Sequence, residues 1–255
     1  MNDSKFSDKP RGCITESLKG AALLPYSGAL VAGAEHEAYL RFLNYARPVA
    51  QGYDTVSLSR VRAAGSGGAP TRESAPPFLF VGRFVEKKNV LTLIDAYAHC
   101  RANFGAGIRD LVLVGDGPLR ADIEQRIIQH GLGSSVELRG FLSSEDTART
   151  MADAYCLLVP STEDQWGLVV NEAQAFHLPV IASTTLGAAN VLVRSGVNGL
   201  LVEPSNARGW SFAMNLIDRS EQLHAQFKLG AREIEALADV SQFVSGVETL
   251  LSPKS

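Results

Sequence analysis

Between residues 78 and 204 the sequence alternates between two kinds of segment. Short apolar runs occupy 78–82, 111–115, 136–140, 156–161, 179–183 and 199–204, and each closes on Gly, Ser or Pro. Except at 136–140, where Glu137 and Arg139 intervene, the runs carry no alternation of apolar and polar residues, which predicts strands buried on both faces. The stretches between them carry apolar residues at helical spacing. Val90, Leu93, Ile94 and Tyr97 fall on one face, as do Ile123, Ile127 and Ile128. Together these patterns predict an α/β fold: a Rossmann-like parallel sheet with helices on both faces, followed by helical sequence from 206 towards 251.

The segment before this alternation is shorter. It predicts a strand at 29–33, a helix over 35–45 with Tyr39, Leu40 and Leu43 on its apolar side, and a strand at 48–52. That is a partial βαβ unit, too small to fold alone. Residues 62–77 carry Gly65, Gly67, Gly68, Pro70, Pro76 and Pro77 and read as a linker. Their Gly-Ser-Gly-Gly is not a phosphate loop, because no strand feeds it and no Gly-Lys-Ser/Thr follows. The expected division is therefore 1–61, a linker at 62–77, and a main domain at 78–255.

Composition excludes several classes. A net charge of −3 across 255 residues gives no basic surface for nucleic acid. Cys13, Cys100 and Cys156 are far apart with no CxxC pair, so there is no zinc site to argue for. Cys100 and Cys156 sit in apolar patterns, as expected of buried thiols in a reducing compartment. Residues 1–11 are polar and mixed in charge, unlike a signal peptide. The apolar run 21–34 is broken by Pro25 and is too short to span a bilayer. The expected location is cytoplasmic, with contact to the inner face of a membrane left open.

Ligands of parallel α/β sheets bind beyond the carboxyl ends of the strands. After the first run, Arg83 and Lys88 follow Gly82; they suit a diphosphate, although taken alone they read better as a solvated charged turn. After the second comes the turn Gly115-Asp116-Gly117-Pro118, and after the third Gly140-Phe141, where exposed backbone suits a base. After the fourth, Asp164 and Glu172 lie eight residues apart around Trp166-Gly167. A helix entered through Gly167 would aim its first N–H groups at a phosphate, while the carboxylates accept from sugar hydroxyls. The chemistry suits a nucleotide sugar.

These motifs occur in a fixed order, ahead of Leu178-Pro179-Val180-Ile181 and the later run Gly196 to Val202. Over residues 77–216 the chain resembles the C-terminal, donor-binding domain of a GT-B glycosyltransferase of the large retaining family usually numbered four. The resemblance implies that Arg83 and Lys88 neutralise the leaving diphosphate, so that no metal or other cofactor is needed. It implies that Glu172 binds the ribose, that Asp164 touches the donor sugar, and that the N–H groups of Gly167 and Leu168 cap the distal phosphate. Gly82, Gly115, Gly140 and Phe141 would line the donor site.

The sequence departs from that pattern in three places. Asp164 is one methylene shorter than the usual Glu, and its neighbour Glu163 is a rival for the sugar contact. His177 replaces the Gly common before Leu-Pro-Val and reads as a helix cap rather than a catalyst. Residues 21–57 resemble only the last unit of the N-terminal acceptor domain. No residue matches that domain's acceptor pocket, Gly-rich loop or reacting-centre His; His36, expected on a polar helix face, and His99, His130 and His224 lack suggestive partners. The expected partners are thus a nucleotide sugar, an unidentified acceptor, and either a separate N-terminal half or a second copy of the chain. Against the transferase stand a non-catalytic nucleotide-diphosphate-binding remnant, a GT-B-fold epimerase, and an unrelated doubly wound domain.

Overall fold

In the computed structural model, residues 12–67, 75–105 and 107–252 are described. The polar start 1–11 and linker residues 68–74 lie outside the described residues. The first unit comprises α1 (Cys13–Leu23), β1 (Ala29–Val31), α2 (Ala34–Phe42) and β2 (Val49–Gln51), with β1 and β2 paired in parallel. Next comes α3 (Leu58–Gly65). The main domain follows as β3 (Phe78–Val81), α4 (Val90–Phe104), β4 (Leu111–Val114), α5 (Arg120–Gln129), β5 (Val136–Gly140), α6 (Ser144–Ala152), β6 (Cys156–Val159), α7 (Leu168–Gln174), β7 (Val180–Ser183) and β8 (Gly199–Val202). The chain closes with α8 (Ala207–Asp218), α9 (Glu221–Ile234) and α10 (Ser241–Leu251).

The main sheet is six-stranded, all parallel, in the order β5-β4-β3-β6-β7-β8. The order reverses between β3 and β6, which opens a crevice at their carboxyl ends. Alternation along the strands divides two cores. Phe78, Phe80, Leu111, Leu113, Cys156 and Leu158 face α4, α5, α8 and α9, while Leu79, Val112, Leu157 and Val159 face α6, α7 and the 186–193 loop. All six expected strands and the helices on both faces are present. One detail differs: Ile128 points to solvent while Ile123 and Ile127 are buried.

Two segments pack across the expected division. Residues expected to start the linker belong to α3, which packs on α6 and α7. Arg62 Nε donates to Ala175 O at 2.8 Å, and a Cβ on Gly65 would meet the Phe176 ring at 2.5 Å. Glycine here permits close packing rather than flexibility. At the other end, α10 does not cover the main sheet but packs on β2 and β1. Gly246 lets it approach so closely that a Cβ there would stand 2.6 Å from Gln51 O. The reason is energetic. The first unit's own core is Val31, Leu40 and Tyr45. So few buried side chains cannot by themselves offset the conformational entropy lost in ordering the segment. Burial under α10 makes up part of the deficit.

The apolar side of α2 is covered, with Tyr39, Leu40 and Leu43 buried; among the described residues of the first unit, the exposed large apolar side chains are Ile14 and Leu18 of α1, with Leu24, Tyr26 and Phe42 nearby. Cys100 and Cys156 are buried, Cys13 exposed. Burial pushes the Cys100 thiol up to about 11. Among the described residues no helix is long and apolar enough to cross a membrane.

Candidate functional site

The crevice is knitted from strand-end loops that approach too closely for side chains. Gly115 (φ 137°) lies where a Cβ would meet Gly82 O at 1.9 Å, and Gly115 N donates to Gly140 O at 2.8 Å. Three of the expected site glycines thus form one continuous floor beyond β3, β4 and β5. Gly140 (φ 67°) turns the chain outward, and Phe141 stands 86% exposed beside it.

Beyond β3, a 3₁₀ turn at Glu86–Lys88 carries Lys88 back over the crevice, while Arg83 is exposed at the strand end. Asn89, left-handed at φ 56°, fixes that turn. Its Nδ2 donates to Pro160 O at 3.0 Å and to Pro204 O at 2.9 Å, joining the loops after β3, β6 and β8. Sequence reasoning missed Asn89; the available signal was an Asn before a helix, where left-handed backbone is tolerated.

Lys88 Nζ lies 2.5 Å from Asp164 Oδ2, with both side chains largely buried, and Ser161 Oγ lies 3.5 Å from the same oxygen. Glu163 is exposed. The two neighbouring acids therefore stand in different places: Asp164 faces the Lys88 turn, and Glu163 faces solvent. The Asp164 loop is held by its neighbour, with Gly187 N donating to Asp164 O at 3.0 Å and Ala188 N to Trp166 O at 2.9 Å.

Gly167, at φ 94°, turns into α7. The helical ladder begins with Val170 N donating to Gly167 O, so the N–H groups of Gly167, Leu168 and Val169 precede it. Glu172 sits one turn along. It lines a groove of 790 Å³ between α3 and α6, together with Val56, Arg60, Val81, Phe141 and Glu145. Burial raises the Glu172 carboxyl above its ordinary value. A second hollow, between α1 and residues 42–44, lies away from the strand ends, and its acid Glu16 is already engaged by Tyr39 and Lys19.

The histidines divide. His36, expected on a polar face, is instead fully buried, with its ring 5.8 Å from that of Trp166. The flanking Glu35 and Glu37 mark α2 as polar there, but His36 turns into the junction between the two units. His177 takes φ 51° at the end of α7, and its Nε2 lies 2.6 Å from Glu235 Oε2, which fits a cap. His130 pairs with Asp95, and His224 stacks on Tyr155 at the opposite end of the sheet. Trp166 and Asn171 form a pair that sequence reasoning did not single out: Trp166 Nε1 donates to Asn171 Oδ1 at 2.9 Å.

Comparisons with known proteins agree with this fold. Residues 68–234 match the family described as glycosyl transferases group 1. An uncharacterized glycosyltransferase of Methanocaldococcus jannaschii is 34% identical over 169 residues, which is 66% of this chain and 46% of that protein. The sucrose-phosphate synthase of Thermosynechococcus elongatus superposes with a TM-score of 0.71 at 27% identity, covering 96% of this chain and 63% of that one. The Anabaena protein HepE, solved in complex with UDP, shares the fold with a TM-score of 0.82 at 20% identity, covering 97% of this chain and 70% of that one. The chain spans half or less of the length of the curated relatives it matches first.

Proposed function

The chain belongs to the glycosyl transferases group 1 family, and from that premise we propose that it is the donor-binding half of a retaining transferase of the group usually numbered four, moving a sugar from a nucleotide diphosphate to an acceptor hydroxyl. The observation that carries the proposal is the meeting of the β3 and β6 loops, where Lys88 and Asp164 stand together at the switch point of the sheet.

In this reading the base and ribose enter the groove beside Phe141, and Glu172 accepts hydrogen bonds from the ribose hydroxyls. The diphosphate lies over the Gly82–Gly115–Gly140 floor, with Arg83 and Lys88 taking the charge that develops as it leaves. Those two cations make a metal or other cofactor unnecessary for that task. The N–H groups of Gly167 and Leu168 face the distal phosphate, and Asp164 is released from Lys88 to meet the sugar. Glu163, being exposed, is the lesser candidate for that contact.

The acceptor, and whatever completes the N-terminal unit, belong to the same proposal: a separate N-terminal half, or a second copy of this chain, acting in the cytoplasm or at the inner face of a membrane. One further reading is a nucleotide-diphosphate-binding module without transfer activity. Calorimetric titration with UDP, GDP and ADP tests the site. Binding of one nucleotide, lost in Glu172→Ala, is the expected result; binding of none would overturn the donor-site reading. Transfer of sugar to any acceptor then separates the enzyme from the module.

A further inference from the structure

We infer that Asn171 is a positioning residue, which ties the site helix α7 to both chain crossings between the N-terminal unit and the main domain and so sets where Trp166 and Glu172 stand. The part of this inference that concerns nucleotide rests on the function proposed above.

The chain passes between the two units at residues 52–57 and returns at 237–240. The crossings lie side by side: Val56 N donates to Ala238 O at 3.1 Å, and Val240 N to Val56 O at 2.9 Å. Asn171 is fully buried against them. Its Nδ2 donates to Asp54 O at 3.0 Å on the outgoing crossing and to Ala238 O at 3.2 Å on the returning one. Its Oδ1 accepts from Trp166 Nε1 in the site loop. One amide thus joins three segments far apart in sequence.

A leucine would fill this space without the desolvation that a primary amide incurs, so the amide is explained by its bonds rather than by its volume. The helix that carries it needs such help. With seven residues, and an entry at Gly167 that has no side-chain cap, α7 cannot fix its own position. Its far end is held by Arg62 to Ala175 O and by His177 to Glu235. At its near end the Trp166 ring rests on the first unit, where a Cβ on Gly33 would stand 3.3 Å from it. Glu172 is the next residue along, so displacing Asn171 displaces the groove's carboxylate.

Hydrogen exchange of the nucleotide-free chain tests the tie, comparing wild type with Asn171→Leu. Exchange is read at Val56 and Val240 in the crossings and at Gly187 and Ala188, which bond the Asp164–Trp166 loop. Both sides should open about tenfold more readily, with the β3–β4 core unchanged. Acceleration on one side alone, or on neither, overturns the inference. Should Asn171→Leu fail to fold, Trp166→Phe removes only the indole donor and should loosen the Gly187 and Ala188 side through the same amide; unchanged exchange there would overturn it too. In titrations, each variant should weaken nucleotide binding by about tenfold, with the double variant no worse than the weaker single one; additive losses would contradict a shared path. A wild-type chain that binds none of the three nucleotides would sink the functional reading instead, and the exchange result would still decide the role of Asn171.

Discussion

Lys88 Nζ and Asp164 Oδ2, 76 positions apart in sequence, lie 2.5 Å from each other across the switch point of the main sheet. A diphosphate bound there would compete with Asp164 for Lys88. Asp164→Asn should therefore leave nucleotide-diphosphate affinity unchanged or raise it, while Lys88→Ala should lower it by about tenfold. Lys88→Ala should also cost about 1–2 kcal/mol of stability, since it leaves a largely buried carboxylate unpaired. Calorimetry and denaturant unfolding check both, and weaker nucleotide binding by Asp164→Asn would contradict the competition.

Glu172 should carry a stability cost with a definite pH signature. Burial raises its folded pKa above the ordinary 4.5, so the folded state holds this proton more tightly than the unfolded chain does. Stability from this group is fully present below 4.5 and is lost as pH rises through the folded value. Glu172→Gln should thus melt higher than wild type near neutral pH, with the difference vanishing in acid. Identical melting curves near neutrality would show that the carboxylate is not penalised.

At His177 two effects oppose each other. Replacing it with Gly relieves left-handed backbone, worth about 1 kcal/mol, but removes the bond to Glu235, worth about 1 kcal/mol. His177→Gly should be neutral to within about 0.5 kcal/mol, whereas His177→Ala keeps the strain, loses the bond, and should cost about 1 kcal/mol. Chemical denaturation of the two variants side by side distinguishes them.

At the opposite end of the sheet, the His224 ring stacks on Tyr155 at 3.8 Å, with Arg109 Cζ 3.6 Å from the Tyr155 ring centroid, and His224 Nε2 lies 2.9 Å from Tyr155 O. His224→Ala should cost about 1–2 kcal/mol and leave nucleotide affinity untouched. Burial, the largest influence on His224, holds its pKa below 6.5. Its contribution is therefore intact above 6.5 and lost as pH falls through the folded value, so the margin of wild type over His224→Phe should shrink in mild acid.

Much of the main domain was legible because parallel strands buried on both faces have no polar positions, so 78–82 or 156–161 could hardly be read otherwise. The strand-end residues were legible for the same reason: once the strands are placed, Gly82, Gly115, Gly140 and Asp164 must lie on one rim. What escaped was long-range. His36 sits between Glu35 and Glu37, and nothing local says that Trp166, 130 positions on, will cover it. The helix α10 is amphipathic, but periodicity gives the face that is buried, not the sheet that receives it. Arg62 and Gly65 read as linker because the small residue that permits close packing is the same one that marks a flexible stretch.

The return of α10 to β1 and β2 has a consequence for how this chain is made. Synthesis runs from the first unit to the last helix, yet the first unit lacks its cover until residues 241–251 have left the ribosome. The six-stranded sheet can close while β1 and β2 still wait. The first unit thus becomes native only after α10 has emerged, and until then a chaperone or protease would meet it uncovered.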